Sequence, residues 1–127
     1  MDNENKATFR EVKTRTKIKA IPKGQEIEFL FKTRARGYLV ELTNAKANLS
    51  VKDIREIEQK TERAVKAEML KTIRRLQELN SDILGLGELV RATRPEVWRR
   101  IDWDQEFPRV QVKIDFKFNI ERTGTYR

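Results

Sequence analysis

Apolar and polar residues alternate along three stretches of the chain and recur at helical spacing along a fourth. From about Phe9 to Ala20, the residues Val12, Thr14, Thr16, Ile18 and Ala20 alternate with Glu11, Lys13, Arg15, Lys17 and Lys19, the pattern of a strand with one wet face. Pro22-Lys23-Gly24 then supplies turn chemistry, and a reversal is expected there. Gln25 to Leu42 reads as a longer strand, with Ile27, Phe29, Phe31, Ala35 and Leu39 on one face and Glu28, Lys32, Arg34 and Arg36 on the other. Gly37 lies inside it, where a missing side chain points to a bulge or to close approach by another element. The most regular strand comes last, with Val110, Val112, Ile114, Phe116, Phe118 and Ile120 alternating with polar residues.

Between the strands the period changes. Ser50 and Asp53 form a helix-start signal, and Val51, Ile54, Ile57, Thr61, Ala64, Val65, Met69, Ile73, Leu76 and Leu79 then recur every three or four residues. The spacing predicts a helix from Ser50 to about Leu79. Asn80-Ser81-Asp82 is suited to closing that helix and capping another, whose apolar Ile83, Leu84, Leu86, Leu89 and Val90 are interrupted by Gly85 and Gly87. Each glycine costs up to about 1 kcal/mol in a helix interior, so each needs a reason. Thr93-Arg94-Pro95 restarts a short helical turn carrying Val97, Trp98 and Ile101, with Trp98 directed to the core. The order is β-β-α-α-β. One-sided strands favour antiparallel pairing, which predicts an α+β fold: an antiparallel sheet of at least three strands, with a long helix and shorter helices packed on one face.

A length of 127 residues fits one domain spanning 1–127, with residues 1–6 read as disordered or as a vector-derived remnant. The chain has neither cysteine nor histidine, which removes disulfides, thiolate nucleophiles and the commonest general base and zinc ligands. Asp102 and Asp104 are the nearest approach to an acid/base pair, but positions two apart carry no evidence of convergence. No catalytic residue, metal or cofactor is assigned, and the chain is read as not an enzyme. No segment approaches a membrane span, so the piece is expected to be soluble. The net charge of +8 is the remaining unassigned property. Lys13, Arg15, Lys17, Lys19, Lys32, Arg34 and Arg36 fall on the wet faces of the first two strands, as solvated surface or as a basic face for anionic lipid headgroups or nucleic acid. Tyr38 is the one clear stacking aromatic among them, which disfavours nucleic acid.

Several linked motifs resemble one family. They are Leu76-Gln77, then Ser81-Asp82-Ile83-Leu84-Gly85-Leu86-Gly87-Glu88, then Pro95 with Trp98, Trp103 with Phe107-Pro108, and Ile120-Glu121-Arg122-Thr123-Gly124. Order and spacing are similar to those of the Ger(x)C germination lipoproteins, the C subunits of nutrient-germinant receptors in endospore-forming bacteria. Arg36-Gly37-Tyr38-Leu39-Val40-Glu41 and Asn48-Leu49-Ser50 fit more loosely. Leu86 departs from the pattern, where an aromatic is more usual. The resemblance implies the C-terminal domain of a longer lipoprotein. It implies a place on the outer surface of the spore inner membrane, lipid-anchored through an N-terminal segment outside this sequence, beside integral-membrane A and B receptor subunits. It implies no catalytic residue. The expected function is therefore a non-catalytic interaction or scaffold domain in spore germination, and the alternative is a module using its basic sheet face on nucleic acid or an anionic membrane surface.

Within these motifs the candidate interaction residues are Gly85, Gly87, Glu88, Trp98 and Trp103. The glycines serve either internal helix packing or a close backbone contact with a partner, and the tryptophans are either core or interface anchors. The glycine pair lacks the preceding strand and third glycine of a dinucleotide-binding turn.

Overall fold

A computed structural model describes residues 7–42 and 49–121, so the expectation for residues 1–6 and the motif residues Arg122, Thr123 and Gly124 lie outside the described residues. In chain order the elements are β1 (Ala7–Lys23), β2 (Glu26–Leu42), α1 (Val51–Glu78), α2 (Leu86–Thr93), α3 (Pro95–Trp98), α4 (Trp103–Glu106), a 3-10 turn (Phe107–Arg109) and β3 (Gln111–Glu121). The fold is α+β, with sheet order β1-β2-β3. The turn after β1 forms at Gly24 and Gln25, where Gly24 takes a φ of 63°.

β1 and β2 are antiparallel, since only that tight turn joins them. β3 lies on the other side of β2 and runs parallel to it. Lys113 faces Glu28 at 3.5 Å and Glu121 faces Arg36 at 3.7 Å, so both strands advance together. The sheet is mixed, which corrects the expectation of an antiparallel sheet. One-sided alternation reports which face is covered, not which way a strand runs. A connection as long as α1 to α4 can return the chain to the starting end of β2, as a parallel neighbour requires.

β1 changes phase along its length. At Phe9 the odd-numbered residue turns inward, its ring edge-on to Phe118 with centroids 4.8 Å apart. Further on, the even-numbered Ile18 and Ala20 turn inward. Glu11, with a φ of 53°, lies between them, and one residue in the left-handed region of a strand produces this one-residue slip. Gly37 of β2 lies opposite. A Cβ there would stand 3.1 Å from Val12 Cγ2 and 3.4 Å from the Arg10 carbonyl oxygen, so bulge and close approach meet at one place.

The strands and α1 contribute residues to two compact units, one formed by Met1–Arg15, Thr33–Val65 and Phe116–Arg127, the other by Thr16–Lys32 and Lys66–Asp115. In the first, Ala35, Leu39, Ile54, Phe116, Phe118 and Ile120 are buried. α1 starts there in a reciprocal box: the Asp53 amide donates to Ser50 Oγ at 3.1 Å and the Ser50 amide donates to the Asp53 carboxylate at 2.9 Å. Farther along α1, two acidic side chains on its sheet-facing side act as acceptors. The amides of Phe118 and Ile120 on β3 donate to Glu62 at 2.9 Å and to Glu58 at 2.8 Å. Glutamates one helical turn apart match amides two strand residues apart, because both spacings are about 6 Å.

The second unit buries Ile27, Phe29, Phe31, Ile73, Leu86, Val90, Val97, Phe107, Val110 and Ile114. α1 ends within it in a Schellman turn, with Asn80 at φ 51°, the Asn80 amide donating to the Gln77 carbonyl at 3.1 Å and the Ser81 amide to the Leu76 carbonyl at 2.9 Å. Leu79, expected in the stripe, lies at this end and is 58% exposed. Glu28 keeps its place opposite the core residues of β2 yet is only 4% exposed. Lys23 and Lys113 reach it from either side, at 3.1 and 3.5 Å, and long lysine stems cover what they neutralise. The Lys23 hydrogen bond, opposed by burial and aided by the Lys113 charge, holds the Glu28 carboxyl below the usual carboxylate range.

Candidate functional site

The turn between α1 and α2 is organised by one carboxylate. Asp82 accepts from the Leu86 amide on one oxygen at 2.8 Å, and from the Gly87 amide at 2.8 Å and the Trp103 indole N–H at 3.1 Å on the other. Three donors on one short side chain leave it little freedom, and two of them are first-turn amides of α2 that have no partner within the helix. Gly85, at φ 76°, turns the chain into that helix. Gly87 is buried for a different reason: a Cβ there would lie 2.6 Å from Trp103 Nε1 and 2.9 Å from two further indole atoms. The indole thus lies against bare backbone while it bonds to Asp82.

Other motif residues join this cluster. Gln77, on the last turn of α1, donates its amide N–H groups to the carbonyls of Phe107 at 3.0 Å and Val110 at 2.9 Å, which anchors the segment leading into β3. Asn80 donates its side-chain amide to the Asp104 carbonyl at 2.9 Å. Trp103 contacts Phe29 at 6.1 Å, Trp98 at 6.0 Å and Phe107 at 5.6 Å between ring centroids. The motifs between Leu76 and Phe107 that signalled a family from sequence are thus wired to one another. The capping expected of Asn80-Ser81-Asp82 falls to the Asp82 carboxylate, through the Leu86 and Gly87 amides, whereas Gln77 stands in the motifs with no role legible from its neighbours.

Of the five candidate interaction residues, Gly85, Gly87 and Trp103 are gathered around Asp82. Trp98 is half-buried against Trp103, while its neighbour Val97 is the side chain that enters the core. Glu88 is exposed on α2, where hydrogen bonding to Arg91, one oxygen accepting at 3.1 Å, holds its carboxyl below the usual range. The same turn directs apolar side chains outward, with Ile83 76% and Leu84 41% exposed. Asp102 and Asp104 are both exposed. Among the described residues, no group of three or more acidic side chains is placed to hold a metal ion, and no helix is long and apolar enough to cross a membrane.

The seven candidate basic residues divide between the units. Lys17, Lys19 and Lys32 are exposed on strand segments of the second. Lys13, Arg15, Arg34 and Arg36 belong to the first, where they line a single groove together with Asn119 of β3. Tyr38 is covered by the Arg10 guanidinium, 4.9 Å above its ring centre.

Fold and motif cluster together define a C-terminal domain of the germinant receptor C-subunit family of spore germination proteins, and the chain belongs to that family: the model described as spore germination B3/GerAC-like, C-terminal, matches residues 1–124. Among curated relatives, the chain is 29% identical to spore germination protein YndF of Bacillus subtilis (strain 168), covering 91% of this chain and 29% of the relative. It is 27% identical to spore germination protein B3 of the same organism, covering 98% of this chain and 34% of the relative. The crystal structure of the GerBC protein superposes with a TM-score of 0.82 at 25% identity, covering 96% of this chain and 39% of that one. The chain thus spans about a third of the length of these relatives.

Proposed function

We propose that the chain is a non-catalytic interaction domain of a nutrient germinant receptor C subunit, docking through the α1–α2 turn onto another subunit of the receptor. The observation that carries this reading is the pair of outward apolar side chains, Ile83 and Leu84, on a turn that the Asp82 carboxylate holds from within. Apolar side chains on a pre-ordered turn lose little entropy on binding, and desolvated apolar or aromatic anchors supply most interface energy. Trp98, half-buried in the same unit, and Glu88 on α2 add an aromatic and a charged group to that unit's surface. In the longer protein the domain acts beside integral-membrane A and B subunits, held by a lipid anchor at the outer surface of the spore inner membrane.

The test is titration of the protein against the soluble N-terminal domain of a cognate receptor A subunit. Saturable binding that persists at high salt and weakens at least about tenfold in Ile83→Glu with Leu84→Glu supports the proposal. Binding to no receptor subunit, or binding indifferent to that double substitution, refutes it.

A further inference from the structure

We infer that the outer sheet face of the first unit is a docking surface for an anionic lipid bilayer. Lys13 and Arg15 of β1, Arg34 and Arg36 of β2 and Asn119 of β3 line an open groove of ≈ 510 Å³. Among the described residues, no carboxylate and no large apolar side chain lines it. Neighbouring strands stand about 4.8 Å apart and same-face residues recur about every 6.7 Å, so the four cations form a two-by-two grid within a Debye length of one another. Such a grid of like charges is relieved by an opposing sheet of anions. The phase slip at Glu11 belongs to the arrangement. It brings Arg10, which stacks on Tyr38, and Lys13 to the same outer face, where strict alternation would place them on opposite sides. The partnered acids, Glu121 against Arg36 at 3.7 Å and Glu11 against Arg10, lie outside the groove's lining.

The chemistry of this face selects among anionic partners. A protein interface is built around an apolar centre, and the described residues give the groove no such centre. A single-stranded nucleic acid needs free aromatic faces, and the Tyr38 ring is taken by Arg10. Lipid phosphates need only adjacent cations, and guanidinium forks fit phosphate oxygens in pairs. The inference stands apart from the receptor contact, which uses residues of the other unit.

Flotation of the protein with phosphatidylglycerol vesicles, compared with pure phosphatidylcholine vesicles over about 20 to 300 mM salt, tests it. Binding to the anionic vesicles alone, falling with salt, is expected. Lys13→Gln, Arg15→Gln, Arg34→Gln and Arg36→Gln together lower it at least about tenfold. A control removing the same charge from exposed positions, Lys66→Gln, Lys71→Gln, Arg74→Gln and Arg99→Gln, lowers it less than about threefold. Thermal unfolding establishes that both variants fold. Retained binding by the groove variant, or an equal loss in the control, overturns the inference. So does tighter binding, through the same four residues, of a DNA duplex, of poly-glutamate or of free inorganic phosphate used as competitor.

Discussion

Two regions of the molecule solve the same problem, backbone N–H groups with no partner in their own element, with the same chemical group and different geometry. In the second unit Asp82 takes the first amides of α2 and an indole N–H on a side chain with two rotatable bonds. In the first, Glu58 and Glu62 each take one edge amide of β3 on a side chain with three. The aspartate is pre-ordered and shared, so its contacts stand or fall together. The glutamates act singly, each ordering a longer chain for one bond. An edge strand covered in this way is also withheld from pairing with another chain. Concentrated carboxylate contacts suit a turn that must hold a shape, and dispersed ones suit a strand edge that must merely be closed.

Asp82→Ala strands two first-turn amides and the Trp103 indole. A loss of about 3 kcal/mol is expected in denaturant unfolding, whereas Asp82→Asn, which keeps one acceptor oxygen, loses about half as much. Equal losses would show that the three contacts are not shared through one carboxylate. Gly87→Ala comes next. Its Cβ collides with the indole, and although alanine gains about 1 kcal/mol of helix propensity, a net loss of about 1 to 2 kcal/mol is expected, with a shift in Trp103 fluorescence.

Glu58→Ala and Glu62→Ala each cost about 1 kcal/mol. Their effects add nearly independently, and hydrogen exchange quickens at Ile120 in the first and at Phe118 in the second. Strong non-additivity would mean that the strand edge is a cooperative site like the Asp82 turn. The smallest effect belongs to Glu28. Its carboxyl is held below the ordinary range in the folded chain, so its stabilising contribution is complete above the unfolded pKa and disappears as pH falls through the folded one. Glu28→Gln therefore lowers the melting temperature at neutral pH, and the gap from the parent protein narrows as pH drops from about 5 to 3. A gap that is constant across that range would remove the two lysines from the explanation.

Much of this was legible in the chain. The three alternating runs, the Ser50 start of α1, the Asn80 stop and the buried faces of β2 and β3 are local patterns, and local patterns survive folding. The parallel direction of β3 was not legible, because a strand buried on one face alternates in the same way in either direction. Glu58 and Glu62 sat in the sequence as ordinary polar helix residues; only when β3 lies beside α1 do they acquire donors. Glu28 looked solvated because its cover comes from Lys23 and Lys113, the latter far away along the chain.

By itself, the sequence determined which residues are apolar at which period and which turns are possible, because these depend on residues within a few positions of one another, and it signalled the family through the order and spacing of motifs between Leu76 and Gly124. The tertiary structure decided why Gly87 has no side chain, what Asp82 binds, and that four of seven scattered cations line one groove. Those facts rest on distances between residues remote in the chain, and such distances come into existence only when the strands pair and the helices pack.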